Sequence, residues 1–283
     1  MPHCISTLIL VLLSVFLSLA TGSARADERW GQVRSPTSTA PQIIGFYTAG
    51  CIAGAQALPL NGVGYQVMRM DRNRYYGHSR LIGFIQQLGL TAQQQGAKLL
   101  IGDLSQPRGG PMSYGHRSHQ VGLDADIWLQ HIDSQQQLSQ KQALTMPMRS
   151  VVDRKRGRLI NERWSPIYTE LLRVTAQNPE VERVFVNPVI KQALCRNPAN
   201  QGWLSKIRPW WGHDSHFHVR LSCPPDSPQC RPQAPPAVDS GCDKYLDQWV
   251  HDQMSPPKKK RRSSAKPKPL KLPVACDMVL KAY

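Results

Sequence analysis

Seven cysteines are spread over this 283-residue chain, and the position of the first decides how the other six are read. Cys4 precedes an apolar run from Leu8 to Ala20, after which small residues lead to Ala24-Arg25-Ala26 and Asp27. The run is shorter than the ~20 residues of a membrane span and ends on a small-residue site of the kind that secretory signals carry. Residues 1–26 are therefore expected to be an export signal, and no transmembrane segment is expected after its cleavage. Removing them takes Cys4 away and leaves Cys51, Cys195, Cys223, Cys230, Cys242 and Cys276. An even set in an exported chain reads as three disulfides. The residues alone do not choose among the possible pairings. No two of them are spaced C-x-x-C, so a thioredoxin-like site or a zinc ribbon has no support.

The formal charge of +16 is concentrated near the C-terminus. Between Pro256 and Lys271 stand eight basic residues, no acid and four prolines. Proline in that number prevents a regular helix and keeps the segment extended. In an intracellular protein Lys258 to Arg262 would suggest a nucleic-acid arm. Export removes that reading, so no nucleic-acid partner is expected and the segment is read as a solvated linker. The organisation expected is a folded domain over residues 27–255 and a basic, Pro-rich tail over 256–283, with the body densest from about Cys51 to Val250.

Within the body, Leu81, Phe84, Ile85 and Leu88 recur at helical spacing between Tyr76 and Ala97, and Lys98 to Ile101 reads as a short strand. Ser165-Pro166 resembles an N-cap followed by proline at the first helical position, opening a helix through Leu171 and Leu172. Val181 to Val186 reads as a strand ended by Asn187-Pro188. The stretch 222–240 is rich in Pro and Cys and is expected to be an irregular, disulfide-tied loop. Helices and short strands mix without regular alternation, which predicts an α+β fold.

Five histidines fall into two short clusters. His116 and His119 precede Asp124 and Asp126, while His213, His216 and His218 lie far downstream. Leu123 to Leu129 alternates as a strand with Asp124, Asp126 and Trp128 on one face. His216 to Leu221 alternates too, putting His216 and His218 on one face, about 6.5–7 Å apart along the strand. A catalytic zinc takes three His or carboxylate ligands and keeps a fourth position open. His119, Asp126 and His218 meet that requirement, but Asp124 shares the face of Asp126, and spacing does not separate the two. An H-E-x-x-H helix, a P-loop and a G-x-S-x-G elbow are absent.

The order His119, Asp126, then His216 and His218 resembles the lysostaphin, D-Ala-D-Ala carboxypeptidase and hedgehog group of zinc proteins. Longer strings resemble the penicillin-insensitive murein endopeptidase family more narrowly. They are Gly115 to Asp126, Val186 to Gln192, Arg208 to Trp211, His216 to Leu221 and Gln66 to Arg69. The resemblance runs from about Gly50 through Cys276. It implies a small antiparallel sheet core with flanking helices, and a zinc ion held by His119, Asp126 and His218. Asp124 would then support a ligand by hydrogen bonding. His216 is implied as catalytic, with His213 assisting. His116 flanks the site as a weaker candidate ligand, although the cationic stretch Asp153-Arg154-Lys155-Arg156 suits a second dication poorly. The family's cysteine order implies the pairs Cys51–Cys276, Cys195–Cys242 and Cys223–Cys230, so that Cys276 anchors the tail.

The resemblance implies a periplasmic zinc endopeptidase, insensitive to β-lactams, that cuts D-alanyl to meso-diaminopimelyl cross-links of peptidoglycan. A zinc carboxypeptidase or dipeptidase acting on D-Ala-D-Ala stems is the alternative enzyme. A non-catalytic wall-binding protein that keeps the zinc fold is the alternative of another class. His216 beside the ligands speaks against the latter.

Overall fold

The computed structural model describes residues 25–197, 202–255 and 271–282. Nearly all of the expected export signal and the Pro-rich segment 256–270 lie outside the described residues. Helix α1 (Arg25–Gln32) is followed by a hairpin of β1 (Gln42–Phe46) and β2 (Ala49–Ala53). Short strands β3 (Gln56–Ala57), β4 (Asn61–Gly62), β5 (Tyr65–Val67) and β6 (Tyr76–Gly77) lead to helix α2 (Ser79–Gln94) and β7 (Ala97–Ile101). The long strand β8 (Asp124–Asp133) precedes α3 (Gln140–Thr145), the small pair β9 (Val152–Asp153) and β10 (Arg158–Leu159), and α4 (Pro166–Gln177). Then come β11 (Val181–Val186), α5 (Pro188–Cys195), β12 (Ile207–Pro209), β13 (His216–Leu221), α6 (Lys244–Met254) and α7 (Ala275–Lys281).

Seven of these strands form one sheet in the order β12-β11-β13-β8-β7-β5-β4. Its centre, β11-β13-β8-β7, is antiparallel, while β11–β12 and β5–β7 are parallel pairs. The fold is α+β with flanking helices, as expected, and the antiparallel core implied by the resemblance is the centre of this sheet, to which the edges add two parallel pairs. Alternation assigns the two faces. Ala125, Ile127, Leu129, Phe217, Val219 and Val184 are buried in the main core, which the apolar sides of α2 and α4 complete. The opposite face carries Asp124 and Asp126 of β8 beside His216, His218 and Arg220 of β13. One strand pair thus supplies both the core and a polar cluster.

Helix ends follow local chemistry. His78 caps α2 by accepting a bond from the Arg80 amide. Asn187, expected only to stop β11, also starts α5: its side chain accepts from the Val189 amide at 3.0 Å, with Pro188 at the first position. Packing extends beyond the limits expected for the body. Trp30 of α1 is buried against Cys51, Cys276 and Val279, and Arg108 donates to the carbonyls of Val279 and Leu280.

Three disulfides join Cys51 to Cys276, Cys195 to Cys242 and Cys223 to Cys230. The first fastens α7 to β2 across 225 residues of sequence. The second ties the end of α5 to the approach to α6. Among the described residues, no helix is long and apolar enough to cross a membrane.

Lys191 of α5 is fully buried. Its ammonium donates to the carbonyl of Leu204 at 2.6 Å and to that of Ser240. Burial, reinforced by Arg208, lowers its pKa to about 7, whereas in the unfolded chain it titrates near ~10.4. Between those values the unfolded state holds one more proton, so the contribution of this group to stability rises with pH, at up to ~1.4 kcal/mol per unit. Below about pH 7 both states are protonated and the slope vanishes. Melting curves from pH 6 to 10 should show that rise in the wild type and lose it in Lys191→Met; parallel curves would refute the coupling. Cys276→Ser should cost ~2–4 kcal/mol and expose the amides of α7 to hydrogen exchange before those of β8 and β13. Equal protection of all three would show that the bond carries little of the docking.

Candidate metal centre

The site is built around Asp126, whose buried carboxylate is surrounded by imidazoles. Its Oδ1 lies 3.4 Å from His218 Nδ1, 3.5 Å from His119 Nε2 and 3.7 Å from His216 Nε2. Its Oδ2 lies 3.0 Å from His116 Nδ1. His218 reaches Asp126 because β13 and β8 pair them directly, and His216 stands one alternation away. His119 and His116 come from the loop between β7 and β8. His213 completes the group, with its ring 5.0 Å from that of His216 and 5.8 Å from that of His218.

Outer contacts orient these rings. His119 Nδ1 lies 2.8 Å from the Leu104 carbonyl, a bond it can make only as donor, so Nε2 faces Asp126 with a lone pair. His218 Nε2 lies 3.3 Å from Asp124 Oδ1, an ion-pair contact without hydrogen-bond geometry, while its Nδ1 faces Asp126. Asp124 is itself held by Arg220, whose Nε and Nη2 donate to its two oxygens at 2.8 and 3.0 Å. The Arg220 guanidinium lies over the ring of Tyr47 at 4.1 Å. His116 turns its other nitrogen to Asp103 Oδ2 at 3.3 Å, and Asp103 also accepts from Arg72 and Arg74.

Electrostatics follow the same partners. Burial would raise the pKa of Asp126, yet His216, His119 and His218 hold it well below the ordinary carboxylate range. Burial acts likewise on Asp124, where Arg220 and His218 prevail and keep it low. Asp103, despite burial, is held down to about 2 by His116, Arg72 and Arg74. Burial lowers His218, but Asp124 and Asp126 outweigh it and raise the ring. His213 is pushed down to about 4 by burial and by the neighbouring rings of His216 and His218. Burial also lowers His216, against the pull of Asp126.

These groups fit a metal ion. His119 Nε2, Asp126 Oδ1 and His216 Nδ1 are buried without a hydrogen-bond partner, an arrangement that costs free energy unless something binds them. Donors around a tetrahedral zinc stand ~3.3 Å apart, close to the separations at Asp126 Oδ1. One atom each of His116, His119 and Asp126 lie within 4.8 Å of one another, and His218 Nδ1 stands 3.4 Å from the same carboxylate. The structure therefore brings all five clustered histidines to one point and puts Asp124 behind His218. Asp153 and Arg154, considered above, are engaged elsewhere, with Arg156 at 3.0 Å and Asp214 at 2.9 Å.

Two residues at the site escape sequence reasoning to different degrees. Arg220 continues the alternation of His216 and His218, so its side of the strand was readable. Asp103 lies just past the end of β7 and carried no signal. Backbone geometry adds a further feature: His116 and His213 have φ of 31° and 48°, each after a glycine of positive φ. A non-glycine residue held there costs ~1–3 kcal/mol and marks sites where function imposes the conformation.

A family model described as penicillin-insensitive murein endopeptidase matches residues 43–281. A protein of that name from Haemophilus influenzae is 44% identical over 265 residues, covering 91% of this chain and 89% of the relative. One from Klebsiella pneumoniae strain 342 is 40% identical over 271 residues, 95% of this chain and 97% of its own. One from Salmonella heidelberg is 42% identical over 276 residues, 96% of each. A match of that extent, together with a buried cluster fit for a metal ion, makes this chain a member of the penicillin-insensitive murein endopeptidase family of metallopeptidases.

Proposed function

We propose that this chain is a periplasmic zinc endopeptidase that hydrolyses D-alanyl to meso-diaminopimelyl cross-links of peptidoglycan, with His119, Asp126 and His218 as the zinc ligands. The observation that carries the reading is the convergence of imidazoles on the buried Asp126 carboxylate, where Oδ1 and the facing His119 Nε2 have no hydrogen-bond partner. Family membership makes the chain a murein endopeptidase, and the names of its relatives support peptidoglycan as the substrate. Residues 1–26 would direct export, 27–255 form the catalytic domain, and 256–283 form a tail anchored through Cys276.

When bound, zinc supplies Lewis acidity towards the scissile carbonyl. The side chains do the remaining work. Leu104 fixes the tautomer of His119, so that its Nε2 presents a lone pair, and Asp124 stands against the outer nitrogen of His218. His216 is placed to take and return a proton, and its lowered pKa keeps a ring nitrogen free to accept one near neutral pH. His213, neutral for the same reason and holding its one N–H on the Trp211 carbonyl, stands beside it with Nε2 as an acceptor and can assist its proton transfer. His116, held between Asp103 and Asp126, is a weaker candidate ligand. No side-chain nucleophile is acylated in this scheme, so β-lactams have no target.

His119→Ala, Asp126→Ala and His218→Ala should each lose most bound zinc and the conversion of cross-linked muropeptide dimers to monomers. One zinc per chain retained by His119→Ala would sink the ligand assignment. Release of D-Ala in place of monomers by the wild type would favour a carboxypeptidase. Asp124→Asn should weaken metal binding less, by about 10–100-fold.

His216→Ala should keep its zinc and lose turnover by about 10²–10⁴-fold. Near-wild-type turnover would remove His216 from the chemistry, and loss of zinc would move it into the ligand set.

A further inference from the structure

Beside the metal centre the surface changes character. Near His116, Arg72 and Arg74, both paired with Asp103, lie over the ring of Tyr114. Near His213 the surface is aromatic. Trp210 and Trp211, on the loop between β12 and β13, are 53% and 48% exposed. Trp211 stacks on Trp249 of α6, with ring centres 5.2 Å apart and planes 11° from parallel. Tyr245, 68% exposed, stands four residues earlier on α6, which places it on the same helical face as Trp249. Single exposed hydrophobic residues are ordinary, but large aromatic side chains gathered at one place mark a contact surface.

The group is rigidly joined to the site. The Trp211 carbonyl lies 3.0 Å from His213 Nδ1. Trp210 packs edge-on against Phe185 at 5.8 Å, and Phe185 against His218 at 5.3 Å. Asn187 donates to the Gly212 carbonyl at 2.8 Å and exchanges two hydrogen bonds with Gln253 of α6. These bonds fix α6 against the loop that carries His213, so the Trp211–Trp249 stack is formed before any ligand arrives.

We propose that this aromatic platform binds the glycan strand of the substrate, stacking the apolar face of an N-acetylated sugar ring on Trp211 and Trp210. A pyranose presents a face of C–H groups that matches the electron-rich face of an indole. The exposed indoles of Trp210 and Trp211 suit a neutral sugar, and Lys244, over the ring of Tyr245 at 5.6 Å, adds a donor for its hydroxyl or acetamido oxygens. The platform's continuity with His213 would hold the glycan on one side while the cross-link lies over the metal centre. The proposal rests on murein being the substrate. It extends that reading from the peptide to the sugar.

The test compares two soluble substrates with the zinc-loaded enzyme: cross-linked muropeptide dimers bearing their disaccharides, and the same dimers with the sugars removed by an amidase. In Trp211→Ala and Trp249→Ala the ratio of kcat/KM for the sugar-bearing dimer over the sugar-free dimer should fall about tenfold, the order expected for loss of an aromatic anchor. Because a ratio is read, partial misfolding affects both substrates and cancels. Trp211→Phe, which keeps an aromatic face, should recover much of the ratio. An equal effect on both substrates overturns the proposal. So does a change in oligomeric state at an unchanged ratio, which would assign the platform to a second copy of the chain. Failure of the wild type to cleave either dimer would instead refute the murein reading itself.

Discussion

Three carboxylates are buried close together on one side of the sheet, and the way each is compensated organises the rest of the site. Burying an unpaired carboxylate costs several kcal/mol. Asp124 meets that cost with the two-pronged guanidinium of Arg220, and Asp103 with Arg72 and Arg74. Asp126 has no such partner. Among the described residues its ion-pair contacts are all imidazoles: His116, His119, His216 and His218. Imidazoles that serve as metal donors are neutral, so this arrangement leaves a negative charge that a dication can complement. The contrast lies in the partners: Asp124 and Asp103 are pinned by arginine, and Asp126 is ringed by histidine.

Much of this was legible because strand alternation is a strong signal. The six residues from His216 to Leu221 and the stretch from Leu123 to Leu129 each alternate, and their pairing brings Asp126 opposite His218. Periodicity alone could not separate Asp124 from Asp126, as both lie on that face. The separation comes from the facing strand: register sets Asp124 against Arg220 and Asp126 against His218, and pairing across strands cannot be read along a single one. The helix at Ser79–Gln94 was legible from its apolar spacing. The helix at Pro188–Cys195 was not, because Asn187-Pro188 ends a strand and begins a helix with the same two residues. Asp103 was invisible for a related reason. Its role depends on a long-range contact with His116 and on Arg72 and Arg74, none of which leaves a local pattern.

The cysteines illustrate the same limit. Six of them remain once the expected export signal is set aside, an even number that implies three bonds, but proximity in the fold, and not spacing, selects the partners. Cys51 and Cys276 are 225 residues apart and meet because α7 packs on β2 beside Trp30. The C-terminus thereby becomes part of the folded body, although the segment before it is basic, Pro-rich and poor in apolar side chains. A short helix with little buried surface of its own gains its place from a covalent bond and from the two carbonyl contacts of Arg108.

The two flanking histidines show how stability is exchanged for geometry. Gly115-His116 and Gly212-His213 both place two successive residues at positive φ, and glycine accepts that conformation far more readily than histidine does. The glycine in each pair lets the loop turn sharply, and the following histidine is forced into the site by a backbone it would not choose. Support comes from the surroundings: Asp103 and Asp126 hold His116, while Asn187 accepts no strain itself but binds the Gly212 carbonyl and, through its amide, that of His213. The two loops enter from different ends of the sequence and use the same local device. Each brings an imidazole to the polar face from a loop, which leaves the strand pair β8–β13 to present Asp126, His216 and His218 in fixed register.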